Sequence, residues 1–196
     1  QTNDLRRIVD EFSKFARMPE PDRRPTDLVQ VVRDATTLQE AGQEKVRFDV
    51  RLPDSPLMVD IDATMISQAL TNLLKNAGEA IEGFEETGDA PDGFQARIAV
   101  AMDIDNDRAT ITIADNGIGL PEDRARLFEP YVTTREKGTG LGLPIVKKII
   151  EEHGGTLQLR DAPVMAGCTH AGALAEIRLP ILRTPRGNRT EQGAEA

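Results

Sequence analysis

Tryptophan is missing from this chain of 196 residues, and the aromatic residues amount to one tyrosine and six phenylalanines. With aromatics at 4%, few side chains could serve as platforms for stacked bases. Positive charge is also in short supply, since 24 Lys and Arg stand against 33 Asp and Glu for a formal net of −9. That balance offers no broad attraction to a phosphate backbone, so nucleic acid is not an expected partner. Cys168 is the sole cysteine, which excludes an internal disulfide and a Cys-rich zinc site and fits a reducing compartment. No run of about 18 apolar residues and no charged-then-apolar leader is present, so no stretch here reads as a membrane span or export signal. The opening at Gln1, in mid-pattern, reads as an excised piece, so this absence says little about the parent protein.

Hydrophobic residues make up 39% of the chain, enough at this length to bury a core in one large domain or in a medium domain with an appendage. Leu5, Ile8, Val9, Phe12, Phe15 and Ala16 follow amphipathic helical spacing until Pro19 and Pro21 stop it. A lone helix of that length is marginal in water, so it is expected to pack on something outside this chain or on a second copy. "PEPDRRP" reads as a linker, and the main domain is expected from Thr26 onward. Thr26 or Asp27 can cap a helix that turns Leu28, Val31, Val32, Ala35 and Leu38 inward until Gly42.

"KVRFDVRLP" alternates in the strand period, with Val46, Phe48, Val50 and Leu52 on one face. "LMVDID" reads as a short strand leading into a long helix over 62–82, followed by a Gly/Asp/Pro-rich loop over 83–95. "ARIAVAMDID" and "RATITIAD" flank Asn106-Asp107 as a hairpin, and further strands are expected near 156–160 and 173–179. Helices interleaved with mostly antiparallel strands point to an α+β fold, a two-layer sandwich with helices on one face of a mixed sheet. "RTPRGNRTEQGAEA" reads as a disordered polar tail.

Three segments carry candidate chemistry. On the long helix, Met65, Ile66, Ala69, Leu70, Leu73, Leu74, Ala77 and Ile81 form the apolar stripe, while Gln68, Asn72, Asn76 and Glu79 share another face. Asparagine is disfavoured in helices by up to about 0.7 kcal/mol against alanine, so two of them one turn apart call for a reason. That face is either solvated or offers oxygen ligands to a hard cation such as Mg²⁺, which keeps several waters and shares phosphate oxygens. "IADNGIGLP" ends a strand at Asp115 and continues through Gly117 and Gly119. It is either a simple turn or backbone held close to a flat ligand, with a carboxylate placed to accept from an exocyclic amine such as that of adenine. In "GTGLGLPIVKKIIEEHGG", Gly138, Gly140 and Gly142 precede an apolar helix, so bare N–H groups meet the positive end of its dipole, an arrangement that attracts phosphates.

Taken in order, these segments resemble the ATP-binding catalytic domain of sensor histidine kinases, within the superfamily that includes Hsp90, MutL and gyrase B. "NLLKNAGEA" is similar to its N box, "DNGIGLP" to its G1 box, and "LFEPYVTTREKGTGLGL" to its F box, lid and G2 box. The N-terminal "IVDEFSKFARMPEP" resembles the second dimerisation helix of nitrogen-regulation kinases of the NtrY type. The resemblance implies the Bergerat ATP-binding fold over residues 26–182, after a dimerisation-helix remnant over 1–18 and a linker over 19–25, with the tail at 183–196. It further implies ATP and Mg²⁺ as cofactors, with Asn76 holding the metal and Asn72 assisting with metal or phosphate. Asp115 would bind the adenine amine, and Gly117 and Gly119 would shape its pocket. Phe128 would anchor the lid, and Gly138, Thr139, Gly140, Leu141 and Gly142 would cradle phosphates. Many relatives carry Lys where Glu79 stands, so the γ-phosphate contact would fall to Arg135 or Lys137 in the lid.

Members that hydrolyse ATP place a Glu where Asn72 stands, and a neutral amide cannot act as the general base, so transfer to a protein acceptor is favoured over hydrolysis. The chain has two histidines, neither suited to accept phosphate: His153 reads as a helix cap before Gly154-Gly155, and His170 sits in a loop. The acceptor would lie on a separate dimerisation domain, with a response regulator downstream, in a homodimer whose catalytic part is the cytoplasmic portion of a membrane-anchored sensor. A serine kinase of the anti-sigma type and a non-enzymatic, nucleotide-gated interaction module are the other readings.

Overall fold

The structure, a computed structural model, describes residues 16–130 and 140–181, with positions 6, 9, 10 and 13 before them. The expected dimerisation helix therefore falls mostly outside the described residues, as do the polar tail and Arg135, Lys137, Gly138 and Thr139.

The described chain runs β1 (Arg24–Asp27), α1 (Leu28–Gly42), β2 (Arg47–Arg51), β3 (Met58–Ile61), α2 (Ala63–Thr87), β4 (Arg97–Asp105) and β5 (Arg108–Asp115). A 3-10 turn (Ala125–Phe128), α3 (Gly142–Glu152), β6 (Thr156–Asp161) and β7 (Ala173–Pro180) follow. β1 and β3 form a small antiparallel ribbon, and the other strands make one sheet in the order β2-β4-β5-β7-β6. In that sheet β2 lies parallel to β4, and the remaining pairs are antiparallel. The parallel pair requires a long crossover, which β3 and α2 supply.

Strand alternation sets the two layers. Ile98, Val100 and Met102 on β4, Ala109, Ile111 and Ile113 on β5, and Ile177 and Leu179 on β7 are buried, while Ala99, Ala101, Thr110 and Thr112 between them are partly exposed. Register continues the apolar rows across the sheet: Met102 pairs with Ile111, Ile111 with Ile177, and Ile177 with Leu157. The helices cover that face with Leu28, Ile66, Leu70, Leu74, Ile81, Ile149 and Ile150, all almost fully buried. This is the two-layer, mostly antiparallel α+β sandwich that the sequence pattern predicts. No helix among the described residues is long and apolar enough to cross a membrane.

The ends of the elements follow from capping chemistry. Asp27 caps α1, its Oδ1 accepting from Val29 N–H at 3.1 Å, and the same oxygen accepts from Leu57 N–H at 3.0 Å, joining the start of α1 to the chain entering β3. Asp62 caps α2 through Met65 N–H, and Gly88 ends α2 in the left-handed conformation at φ 78°. The hairpin turns at Asn106-Asp107 between β4 and β5, as its sequence predicts.

Three departures have physical causes. α2 runs five residues past the expected 82, because Phe84 continues the apolar stripe three residues after Ile81 and packs edge-on against Phe94 at 5.3 Å between ring centres. Leu38, expected inward, is 66% exposed: it lies at the margin of the buried stripe, and Gln39 and Gln43 take the inner positions, Gln43 Nε2 donating to the Leu74 carbonyl of α2 at 3.3 Å. Val50 is 45% exposed, on β2 at the edge of the sheet, where a strand has a neighbour on one side only. The segment read as a linker ends in β1, where Arg24 and Pro25 pair with Ile61 and Asp60.

Removing the shared acceptor tests the cap that seats α1 against β3. Asp27→Ala is expected to lower unfolding stability by about 1–2 kcal/mol in urea titration; an unchanged midpoint would show that these two bonds add nothing.

Candidate functional site

α2 and α3 form one wall of the candidate site. α2 presents Asn72 and Asn76 half-buried, with Gln68 and Glu79 exposed at the margins. The start of α3 comes to rest against that face: a β-carbon on Gly142 would lie 3.9 Å from Asn76 Nδ2 and 4.0 Å from Oδ1. Two stretches 66 positions apart in sequence thus meet, an amide-bearing helix face and a glycine-led helix start. Leu141 occupies the N-cap of α3, fully buried, with a side chain that offers no cap of its own. Gly140 before it adopts φ 68°, which glycine tolerates best. The positive end of the α3 dipole therefore lies beside the Asn76 face. Gly140 and Gly142 belong to this wall, while Leu141 contributes its main chain and anchors its side chain in the core.

The second wall is the loop after β5. Asp115 is buried at the strand end, and its Oδ1 accepts from Gly117 N–H at 2.9 Å and from Ala173 N–H at 3.2 Å. The carboxylate is thus oriented by two backbone donors. The following loop lies directly on α2. Ile118 N–H donates to the Ala80 carbonyl at 3.0 Å, and a β-carbon on Gly117 would stand 2.4 Å from the Ala80 carbonyl carbon. Gly119 has φ 81°, and a β-carbon there would lie 2.9 Å from the Ala171 oxygen. Both glycines stand in close approach to the protein's own backbone, Gly117 to Ala80 and Gly119 to Ala171.

Residues that the sequence reading passed over build this second wall. Asn116 is buried and completes the start of β4: its Oδ1 accepts from Arg97 N–H at 2.8 Å, and its Nδ2 donates to the Gln95 carbonyl at 2.8 Å and to Cys168 Sγ at 3.4 Å. His170 donates from Nε2 to the carbonyls of Gly117 at 2.9 Å and Asn116 at 3.2 Å, which fixes the proton on that nitrogen. Its ring lies 4.1 Å from that of Phe84, centre to centre. A β-carbon on Gly172 would stand 1.9 Å from the Asp115 carbonyl oxygen, so the chain at 170–173 presses on the strand end from the far side. The proximity of residues 50 positions apart has no signature in a short motif, although Asp-Asn-Gly signals that the strand ends in a side-chain-supported turn.

Phe128 closes the 3-10 turn and packs partly buried on the core, with Lys147 Nζ of α3 5.1 Å from its ring centre. Arg124 at the same turn donates to both carboxylate oxygens of Asp161 at 2.7 and 2.8 Å, fastening the segment to β6. Arg135, Lys137, Gly138 and Thr139 lie outside the described residues. Among the described residues no group of three or more His, Cys, Asp or Glu could hold a metal ion. A cation here would rest on amide oxygen and on oxygens that a ligand brings, which suits Mg²⁺ better than a softer metal.

Comparison with known proteins gives the family of the chain. The model of the family described as histidine kinase-, DNA gyrase B- and HSP90-like ATPase matches residues 61–183. The nitrogen regulation protein NtrY of Azorhizobium caulinodans is 50% identical over 165 residues, 83% of this chain and 21% of that protein. The C4-dicarboxylate transport sensor protein DctB of Rhizobium meliloti is 38% identical over 170 residues, 84% of this chain and 25% of its own length. The chain therefore spans about a quarter or less of these two relatives. Among solved structures, the mycobacterial sensor histidine kinase MprB superposes with a TM-score of 0.66 at 28% identity, covering 81% of this chain and 97% of that one.

The glycine contacts yield a paired test. Gly117→Ala, driven into the Ala80 backbone, is expected to cost about 1–3 kcal/mol of unfolding stability. Gly83→Ala, on the same helix with nothing within 4 Å, is expected to stabilise by up to about 1 kcal/mol. Equal effects in urea titration would refute the packing of the loop on α2.

Proposed function

This chain belongs to the histidine kinase-, DNA gyrase B- and HSP90-like ATPase family, and from that premise we propose that it is the ATP-binding catalytic part of a two-component sensor histidine kinase of the nitrogen-regulation type. Its role is to pass the γ-phosphate of Mg-ATP to a histidine on a dimerisation domain, for onward transfer to a response regulator. In the full-length protein it is the cytoplasmic portion of a membrane-anchored homodimer. The observation that best supports this reading is the meeting of Asn76 with the glycine-led start of α3. An amide suited to a hard cation stands beside main-chain donors suited to anionic oxygen.

Each wall has its part. The Asp115 carboxylate receives the amino group of adenine, and the two N–H donors at Oδ1 hold its plane. Asn76, assisted by Asn72, holds Mg²⁺, which when bound neutralises charge on the triphosphate. The main chain at Gly138, Thr139, Gly140, Leu141 and Gly142 receives the phosphates, and Arg135 or Lys137 supplies positive charge at the γ position in place of a lysine at Glu79. Phe128, held by Lys147 and the core, anchors the segment that covers the nucleotide.

Neutral Asn72 cannot take a proton from an attacking water, so catalysis consists of positioning and charge stabilisation for an incoming imidazole nitrogen. That imidazole comes from outside the described residues. His153 is 3% exposed with both ring nitrogens engaged, and His170 spends its Nε2 proton on two backbone carbonyls.

Two substitutions separate the metal from the base. Asn76→Ala is expected to abolish the Mg²⁺-dependent part of affinity for a non-hydrolysable ATP analogue in calorimetry while sparing adenosine binding. Asp115→Ala is expected to weaken both ligands. With a supplied dimerisation domain, the wild type is expected to form an acid-labile phosphohistidine from Mg-ATP; normal nucleotide binding without that product contradicts the kinase assignment.

A further inference from the structure

His153 closes α3 and is buried, although nothing in phosphate binding requires an imidazole about 16 Å from the glycine-led end of that helix, at 1.5 Å per residue. Its two ring nitrogens make different bonds. Nδ1–H donates to the Ile149 carbonyl at 2.7 Å, which holds the ring against its own helix. Nε2 then carries a lone pair, and it accepts from the Asp62 N–H at 3.0 Å. Asp62 is the N-cap of α2, so this bond joins the end of α3 to the beginning of α2.

α3 therefore runs antiparallel to the first half of α2 and meets it at both of its own ends. At one end stands the His153–Asp62 hydrogen bond, and at the other Gly142 approaches Asn76. The apolar contacts between the helices favour burial but are not directional, so they tolerate sliding along the axes. A hydrogen bond of fixed length does not. The same corner is fastened twice more, by Asp22 N–H donating to Asp62 Oδ2 at 3.0 Å and by the Arg23 guanidinium donating to the Glu152 carbonyl.

We propose that His153 is a positioning residue: it sets the register of α3 against α2 and thereby holds the Gly142 main chain beside Asn76 for binding of the metal-triphosphate. The consequence for binding rests on the nucleotide reading above, whereas the hydrogen bond to Asp62 does not. The adenine wall, built on Asp115 and Asn116, lies outside this tie, so loss of register affects triphosphate and spares the base.

His153→Phe removes the acceptor while filling the space. Amide hydrogen exchange is expected to show Asp62 N–H losing protection. Affinity for a Mg²⁺-bound, non-hydrolysable ATP analogue is expected to fall on the order of tenfold, the scale of one buried donor left unpaired, with adenosine affinity unchanged. His153→Gln, which keeps an acceptor near the Nε2 position, is expected to restore most of the loss. Should His153→Phe not fold, His153→Asn carries the same comparison, since it can still donate to Ile149 but cannot reach Asp62. Wild-type affinity for the ATP analogue in these variants, a protected Asp62 amide, or equal losses of ATP analogue and adenosine would each overturn the positioning role. A wild type that binds neither ligand would overturn the proposed function itself, and is thereby distinguished from failure of the tie alone.

Discussion

The antiparallel contact between α2 and α3 is the constraint on which the rest depends. Asn76 and Gly142 belong to helices that approach the sheet from different crossovers, and neither can act on a triphosphate alone. An asparagine side chain in water offers a cation little, and a helix start in water is already hydrated. They stand close enough that a β-carbon on Gly142 would touch the Asn76 amide, and on the proposed reading that makes a place where a cation and its anionic partners would be received together. The apolar face of the sheet serves this arrangement by seating both helices, α2 against β4 and β5 and α3 against β6.

Charge is distributed accordingly. The net charge of −9 would repel a nucleotide if it were spread evenly. On the proposed reading the phosphate end would be lined by amide groups and main-chain N–H, while the buried carboxylate, Asp115, stands on the other wall with its orientation fixed by backbone donors. The described residues contain no carboxylate or histidine cluster fit to hold a metal independently. Magnesium is therefore expected to arrive with the triphosphate, sharing its oxygens, rather than to wait in a preformed cage.

Much of this was legible in the chain. The period of Met65, Ile66, Ala69, Leu70, Leu73 and Leu74 predicts the helix and leaves Asn72 and Asn76 on a second face, and Asn106-Asp107 predicts its hairpin because both are local patterns. Gly140 and Gly142 were readable for the same reason, since a helix start advertises itself in the adjacent residues. What escaped depends on distant partners. Asn116, which reads as part of a turn, pairs with Gln95 and Arg97, and His170 reaches back to Gly117 across 53 positions. Leu38 and Val50 looked buried because periodicity gives a face but not the extent of the layer above it. The far end of α2 was missed because Gly83 suggested a stop, whereas Phe84 had a ring to pack on and carried the helix past it.

The most direct measurement is a nuclear magnetic resonance titration of the isotopically labelled chain with magnesium and a non-hydrolysable ATP analogue. The backbone amides at Gly117–Gly119 and at Gly140–Gly142, together with the side-chain amide of Asn76, are expected to shift along one binding curve with a single Kd. Shifts confined to one of these segments, separate curves for different segments, or none at all would contradict a common nucleotide site between the two walls.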